Sequence, residues 1–113
     1  MTDTSSGPSS VPVLAFGGEI DLAVAPELRR QLEARLDAGS PSVVLDLRQA
    51  TFLDSVTLGV LIGVHQRCTQ LGGHLTLVVT DPRILRVLEI TGLDGTLHVT
   101  GELPAADHAE GTG

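Results

Sequence analysis

Apolar residues along this chain form short β-branched and leucine-rich runs that alternate with stretches of helical periodicity. Glycine, proline or aspartate, which are typical of turns and helix ends, separate these segments. The pattern predicts strands at 11–16, 42–47, 75–80 and 96–99, and helices from about 26 to 38, 55 to 71 and 82 to 90. Because strands and helices alternate, a mostly parallel sheet built by right-handed crossovers is expected.

These elements predict one α/β domain, with a mostly parallel sheet of four to five strands and helices packed against it. Residues 1–10 and 102–113 are polar and rich in Ser, Gly and Asp, and we expect them to be flexible tails around a folded domain of residues 11–101. The buried core is predicted to include Val44, Leu45, Leu47, Leu61, Val64, Leu77 and Val79.

The helix predicted at 55–71 is apolar on more than one side. Its core stripe is predicted to be Val60, Leu61, Val64, Cys68 and Leu71. Leu58 and Ile62 add apolar surface on another side, and Gly59 and Gly63 remove side chains from one face at a cost of about 1 kcal/mol each relative to alanine. Close packing of the helix on the sheet would explain the glycines. An approach surface for another protein is the alternative.

Asp54 and Ser55 lie where the second strand region gives way to this helix. A hydroxyl in the first turn of a helix can cap the helix by accepting a backbone N–H. It can also be phosphorylated, which adds a charge of about −1.5 to −2. Asp54 is able to provide the cap in place of Ser55, which would leave the serine available for modification.

Asp21 and Asp54 are predicted to follow strands whose carboxyl ends meet at one edge of the sheet. Two carboxylates beside a hydroxyl could bind a metal ion, act as an acid and a base, or form part of a site at which a kinase recognises Ser55. Capping of the following helices is the simpler interpretation of both acids. The sequence around Ser55 is not a G-x-S-x-G elbow, and no histidine lies near it in sequence.

Composition narrows the classes of partner and chemistry. The chain carries 14 acids against seven bases, a net charge of −7, and only 2% aromatic residues, which argues against nucleic acid and anionic membrane as partners. All seven bases are arginine, so a Gly-Lys-Ser/Thr phosphate loop and Schiff-base chemistry are excluded. We expect no cofactor.

Three further patterns bear on metals, charge and compartment. His65 and Cys68 have the i, i+3 spacing of a ligand pair, but a structural zinc site requires four ligands, so no metal site is predicted. Arg83 and Arg86 are expected on a solvated helix face. The single cysteine fits a reducing compartment and residues 1–10 do not resemble a signal peptide, so we expect a cytoplasmic location.

Four motifs in order resemble those of the STAS domain, and more narrowly those of bacterial anti-sigma factor antagonists. They are G-E-I-D at 18–21, V-V-L-D-L at 43–47, F-L-D-S-V-T-L-G-V-L-I-G at 52–63 and L-G-G at 71–73. The resemblance covers about residues 11–100 and implies a small α/β fold and a regulatory binding protein that is not an enzyme.

The resemblance also implies a switching cycle. The partner would be an anti-sigma factor that is itself a serine kinase of the histidine-kinase-like ATPase class. It would phosphorylate Ser55 and release the modified chain, and a PP2C-type phosphatase would restore binding. The resemblance and the apolar surface together predict that the partner-binding residues are Asp21, Asp54, Ser55, Thr57, Leu58 and Ile62.

One departure from the family pattern bears on this hypothesis. Many members read D-S-S-G-L-G or D-S-T-G-L-G, whereas this chain reads D-S-V-T-L-G at 54–59, which makes Thr57 a second candidate phosphoacceptor. A STAS scaffold or transport-complex subunit without phosphorylation is therefore an alternative. A small hydrolase using Asp21 and Asp54 is an alternative from another class.

Overall fold

The computed structural model describes residues 11–104, which form six strands, three α-helices and one 3-10 helix. The strands are β1 (Val13–Ala15), β2 (Gly18–Ile20), β3 (Val43–Asp46), β4 (Ala50–Leu53), β5 (Leu75–Val78) and β6 (His98–Thr100). The helices are α1 (Ala25–Asp37), α2 (Ser55–Gln70) and α3 (Pro82–Ile90), with the 3-10 helix at Leu93–Gly95. The expected tail at 1–10 and all but the first three residues of the expected tail at 102–113 lie outside the described residues.

The main sheet has four parallel strands in the order β1-β3-β5-β6. Leu14, Leu45 and Leu77 lie in register across its first three strands. Strands β2 and β4 form a separate parallel pair. The predicted α/β class with a mostly parallel sheet is confirmed.

The second pair of strands is the main departure from the predicted elements. The predicted first strand stops at residue 16, but the chain bends at Gly17-Gly18 and continues as β2. Gly18 adopts a φ of +75°, which favours glycine, and its amide donates to the Gln49 carbonyl. Beyond this bend β2 pairs with β4, so the two chain segments stay together for a second, short ladder.

The core lies between the sheet and the helices and is built almost entirely from aliphatic side chains. All seven residues predicted to be buried are at most 2% exposed, so this prediction is confirmed. Helix α1 buries Leu28, Leu32 and Leu36 at helical spacing. None of the helices within residues 11–104 is long and apolar enough to cross a membrane.

Helix α2 is buried along a stripe that differs in part from the predicted one. Its buried residues are Thr57, Leu58, Leu61, Val64 and Cys68. Val60 is only half-buried, and Leu71, which the prediction placed in the stripe, is 50% exposed at the end of the helix. The stripe therefore begins one turn earlier than expected and includes the first turn, next to Ser55.

Candidate functional site

The carboxyl ends of β2 and β4 lie side by side, as the sequence predicted for the segments before Asp21 and Asp54. Ile20 and Leu53 are partners in the ladder, and Asp21 and Asp54 are the next residues of their strands. The Asp54 amide donates to the Ile20 carbonyl over 3.4 Å. The start of α2 and the loop after β2 therefore form one edge of the molecule.

Asp54 is the N-cap of α2. Its carboxylate accepts a hydrogen bond of 2.9 Å from the Thr57 amide, in the extended backbone conformation that an N-cap residue adopts. The Thr57 amide is also the main reason that the pKa of Asp54 lies below its usual value. Partial desolvation opposes this shift, and the Leu22 and Val56 amides contribute weakly to it. Asp54 is thus held as a carboxylate at neutral pH.

Asp21 has a similar local role in the loop that leads to α1. Its carboxylate accepts from the Ala23 amide at 3.0 Å, and its backbone carbonyl accepts from the Val24 and Ala25 amides. Both acids thus order the backbone that follows them, but the expected helix capping is found only for Asp54, because the N-cap of α1 is Val24 and no side chain caps that helix. Within residues 11–104 no group of three or more His, Cys, Asp or Glu side chains is placed to hold a metal ion.

Ser55 is the first residue of α2, and its side chain is exposed. Because Asp54 provides the cap, the serine hydroxyl is not needed to close the helix end. The first turn of α2 contains no acidic residue. The positive end of the helix dipole therefore lies at a solvent-accessible hydroxyl, which is a favourable place for an added anion.

Thr57 and Leu58 do not fit the surface roles predicted for them. Thr57 is 0% exposed, and its hydroxyl donates to the Ile20 carbonyl at 2.9 Å, so it is neither an accessible phosphoacceptor nor a docking residue. Leu58 is 8% exposed and belongs to the core. Both face inward because the buried stripe of α2 reaches its first turn. Ile62 is half-buried and remains available at the surface only in part.

Three other apolar residues near Ser55 are exposed, and the sequence analysis did not predict them as surface residues. Leu22, Phe52 and Val56 are 65%, 47% and 43% exposed. Phe52 and Val56 flank Asp54-Ser55 in the chain, and the Leu22 amide approaches the Asp54 carboxylate closely enough to lower its pKa.

The two glycines of α2 face open space. A Cβ built on Gly59 or Gly63 meets no other atom within 4 Å, and both residues are exposed. Close packing on the sheet, the more common reason for helical glycines, is therefore wrong for this helix. We define the exposed residues Leu22, Phe52, Ser55, Val56, Gly59 and Gly63 as the Ser55 surface.

The remaining candidate residues have structural partners. His65 is half-buried, and its Nδ1 accepts from the Leu75 amide at 3.5 Å, while Cys68 is buried. Arg83 pairs with Asp81 at 2.7 Å and lowers the pKa of Asp81 to about 2. Arg83 and Arg86 are both exposed on α3, as predicted.

Comparison with known proteins identifies the family of this chain. The sequence profile of the family described as STAS domain matches residues 5–106. The chain belongs to the STAS domain family. The anti-sigma-B factor antagonist of Staphylococcus aureus strain NCTC 8325 is 32% identical over 83 residues, which cover 74% of this chain and 77% of that protein.

Solved STAS structures give the same result for the fold. An anti-sigma factor antagonist from Mycobacterium paratuberculosis superposes with a TM-score of 0.75 at 29% identity, covering 91% of this chain and 96% of that one. The Bacillus cell fate determinant SpoIIAA in its phosphorylated form superposes with a TM-score of 0.65 at 19% identity, covering 87% and 89%. The predicted resemblance to anti-sigma factor antagonists is thereby confirmed.

Proposed function

We propose that this STAS domain is an anti-sigma factor antagonist that binds a kinase-type anti-sigma factor and is released when Ser55 is phosphorylated. The observation that carries the proposal is the exposed serine at the first position of α2, with its capping role taken by Asp54. The S. aureus relative, which is named an anti-sigma-B factor antagonist, supports the class of partner.

The exposed apolar residues of the Ser55 surface supply a reason for binding. Leu22, Phe52 and Val56 are exposed apolar side chains; Phe52 and Val56 lie within three residues of Ser55 in the chain, and the Leu22 amide lies near the Asp54 carboxylate. Burial of apolar area at an interface contributes about 25 cal/mol per Å² before the costs of association. Gly59 and Gly63 leave the adjacent part of α2 bare, so a partner backbone can approach the helix closely.

Phosphorylation would act on the interface and leave the fold intact. A dianion on Ser55 lies at the positive end of α2, which favours it. In a complex the same dianion would be buried beside Asp21 and Asp54, where desolvation and like charge are unfavourable. A loss of about 3 kcal/mol would weaken binding by roughly a hundredfold. A PP2C-type phosphatase acting in the same cytoplasm would reverse the change.

The alternative enzyme receives no support from the geometry. The Asp21 and Asp54 carboxylates both accept backbone amides, which commits them to ordering the loop and the helix end. Ser55 is exposed although Val56 and Thr57 replace the usual residues of the family pattern, and this exposure supports phosphorylation of Ser55 over the non-phosphorylated STAS scaffold.

The test uses the full chain, ATP and the histidine-kinase-like anti-sigma factors encoded in the same genome. We expect one of them to add one phosphate, located on Ser55 by mass spectrometry, and Ser55→Ala to abolish the addition and keep binding. The matched control is Thr51→Ala, which removes an exposed hydroxyl from the nearby strand β4. This variant should be phosphorylated normally on Ser55. Unchanged affinity after complete modification of Ser55 would support the scaffold instead.

A further inference from the structure

Thr57 carries a polar hydroxyl at a fully buried position, and packing in an aliphatic core does not explain that hydroxyl. It is one of two buried polar residues of the described core, the other being Thr76, and it is fully enclosed. A buried hydroxyl is unfavourable unless it is hydrogen-bonded, and valine would fill the same space with a similar helix propensity. The buried hydroxyl of Thr57 is therefore explained by the hydrogen bond that it makes.

That bond joins the first turn of α2 to the end of β2, 37 residues away in the chain. The Thr57 hydroxyl donates to the Ile20 carbonyl at 2.9 Å, whereas the Asp54 amide reaches the same carbonyl only at 3.4 Å. The Thr57 amide meanwhile donates to the Asp54 carboxylate at 2.9 Å. One residue thus holds both the cap of the helix and the strand beside it.

The residues fixed by these bonds carry the Ser55 surface. Asp21 and Leu22 follow Ile20 directly, and Ser55 lies between Asp54 and Thr57 on the first turn. If the Ile20 carbonyl lost its shorter bond, the loop and the helix start would still be joined by the longer bond from the Asp54 amide, by the Leu22 amide close to the Asp54 carboxylate and by the β2–β4 ladder. The distance from Leu22 to Ser55 would then be less sharply defined.

We propose that Thr57 is a positioning residue, whose hydroxyl locks the Asp21–Leu22 loop to the first turn of α2 so that Ser55 and the exposed Leu22 side chain are presented together. The inference rests on the proposed function for the role of Ser55 in phosphorylation. The lock between Ile20 and Thr57 is a property of the chain by itself, so it is measurable without a partner.

The first experiment measures the lock alone by amide hydrogen exchange on the full chain. In Thr57→Val we expect the Asp54 amide and the Val24 amide, which donates to the Asp21 carbonyl, to exchange about tenfold faster. Thr57→Ser keeps a hydroxyl and should restore protection. Thr76→Val is the matched control, a buried threonine on β5 whose loss of a hydroxyl should leave both amides unchanged.

The second experiment measures transfer of phosphate to Ser55 by the anti-sigma factor kinase. Thr57→Val should lower kcat/KM by about tenfold, with rescue by Thr57→Ser and no change in Thr76→Val. A purely structural role predicts lower melting temperatures but unchanged kcat/KM for the folded protein. If Thr57→Val does not fold, Thr57→Ala serves the same comparison against Thr76→Ala.

The outcomes separate this inference from the proposed function. Wild-type exchange at the Asp54 and Val24 amides in Thr57→Val, or equal acceleration in Thr76→Val, would overturn the lock. Absence of phosphate on wild-type Ser55 would overturn the proposed function, while the exchange measurement would still decide whether Thr57 fixes the loop.

Discussion

The two faces of helix α2 differ in almost every physical respect. The inner face, Thr57, Leu58, Leu61, Val64 and Cys68, is closely packed and buried. The outer face carries Ser55, Val56, Gly59 and Gly63, which are exposed, and a Cβ added at either glycine would meet no atom within 4 Å beyond the adjacent helix backbone. Helical residues that cost stability without packing against the molecule are best explained by contacts outside it. Under the proposed function, the inner face would serve folding and the outer face would serve binding.

The largest effect is expected from breaking the inner face. Leu61 is fully buried, so Leu61→Ala should lower the free energy of unfolding by about 2–5 kcal/mol. Thermal or urea unfolding measures this loss. Gln66→Ala, on the exposed side of the same helix, is the control and should change stability by less than about 0.5 kcal/mol. Equal melting of Leu61→Ala and the parent would contradict the assignment of the inner face.

The next effect is expected from placing charge on the outer face. Ser55→Glu should weaken binding of the anti-sigma factor by roughly a hundredfold, because a carboxylate would be buried beside Asp21 and Asp54. Its melting temperature should stay close to that of the parent, since the helix N-terminus favours an anion. Calorimetry measures both quantities. If Ser55→Glu binds the partner normally but melts at a lower temperature than the parent, the outer face contributes to folding and not to binding.

A smaller effect is expected from filling the outer face. Gly59→Ala should raise the free energy of unfolding by about 0.5–1 kcal/mol, because alanine is the better helix former and its methyl group meets no atom. The same methyl group should weaken binding if the partner lies against the helix. Ala34→Gly, exposed on α1, is the matched reverse change and should destabilise without affecting affinity. Tighter or unchanged binding by Gly59→Ala would remove this glycine from the interface.

The sequence was sufficient where burial is strong and insufficient where it is partial. Periodicity located all three helices and every predicted core residue because aliphatic side chains must leave water. It missed β2 and β4, since these strands are short and only partly buried. A further error concerned the first turn of α2, where Leu58 was expected to be exposed and Val56 was overlooked. A helix that is apolar on several sides has no single amphipathic direction, so its sequence does not show which side is buried.

The resemblance to a family located Ser55, but physical contacts were needed to assign its neighbours. The motif that places Ser55 after Asp54 says nothing about which of them caps the helix. The hydrogen bond from the Thr57 amide to Asp54 decides that question. Burial of Thr57 likewise removes it from the phosphoacceptors, a result that depends on the Ile20 carbonyl 37 residues away.

The smallest effect is expected on the flank of α2, where His65 lies between the two faces. Burial lowers the pKa of His65 and of His74, and the nearby His98 imidazole, stacked on His74 at 4.0 Å, lowers them further. The folded chain therefore binds fewer protons than the unfolded chain just below the ordinary histidine pKa of 6.5. Stability should be complete well above that value and fall as the pH drops through it.

Urea unfolding at several pH values measures this slope. His74→Gln removes one of the shifted imidazoles and should flatten it, while Ser55→Ala, at the start of α2 and away from these histidines, should leave the slope unchanged. Because the carboxylate of Asp54 has a lowered pKa, it stays ionised throughout this range and does not contribute. If stability rises on acidification, or if His74→Gln has the same slope as the parent, the pKa values of His65 and His74 are not lowered by burial.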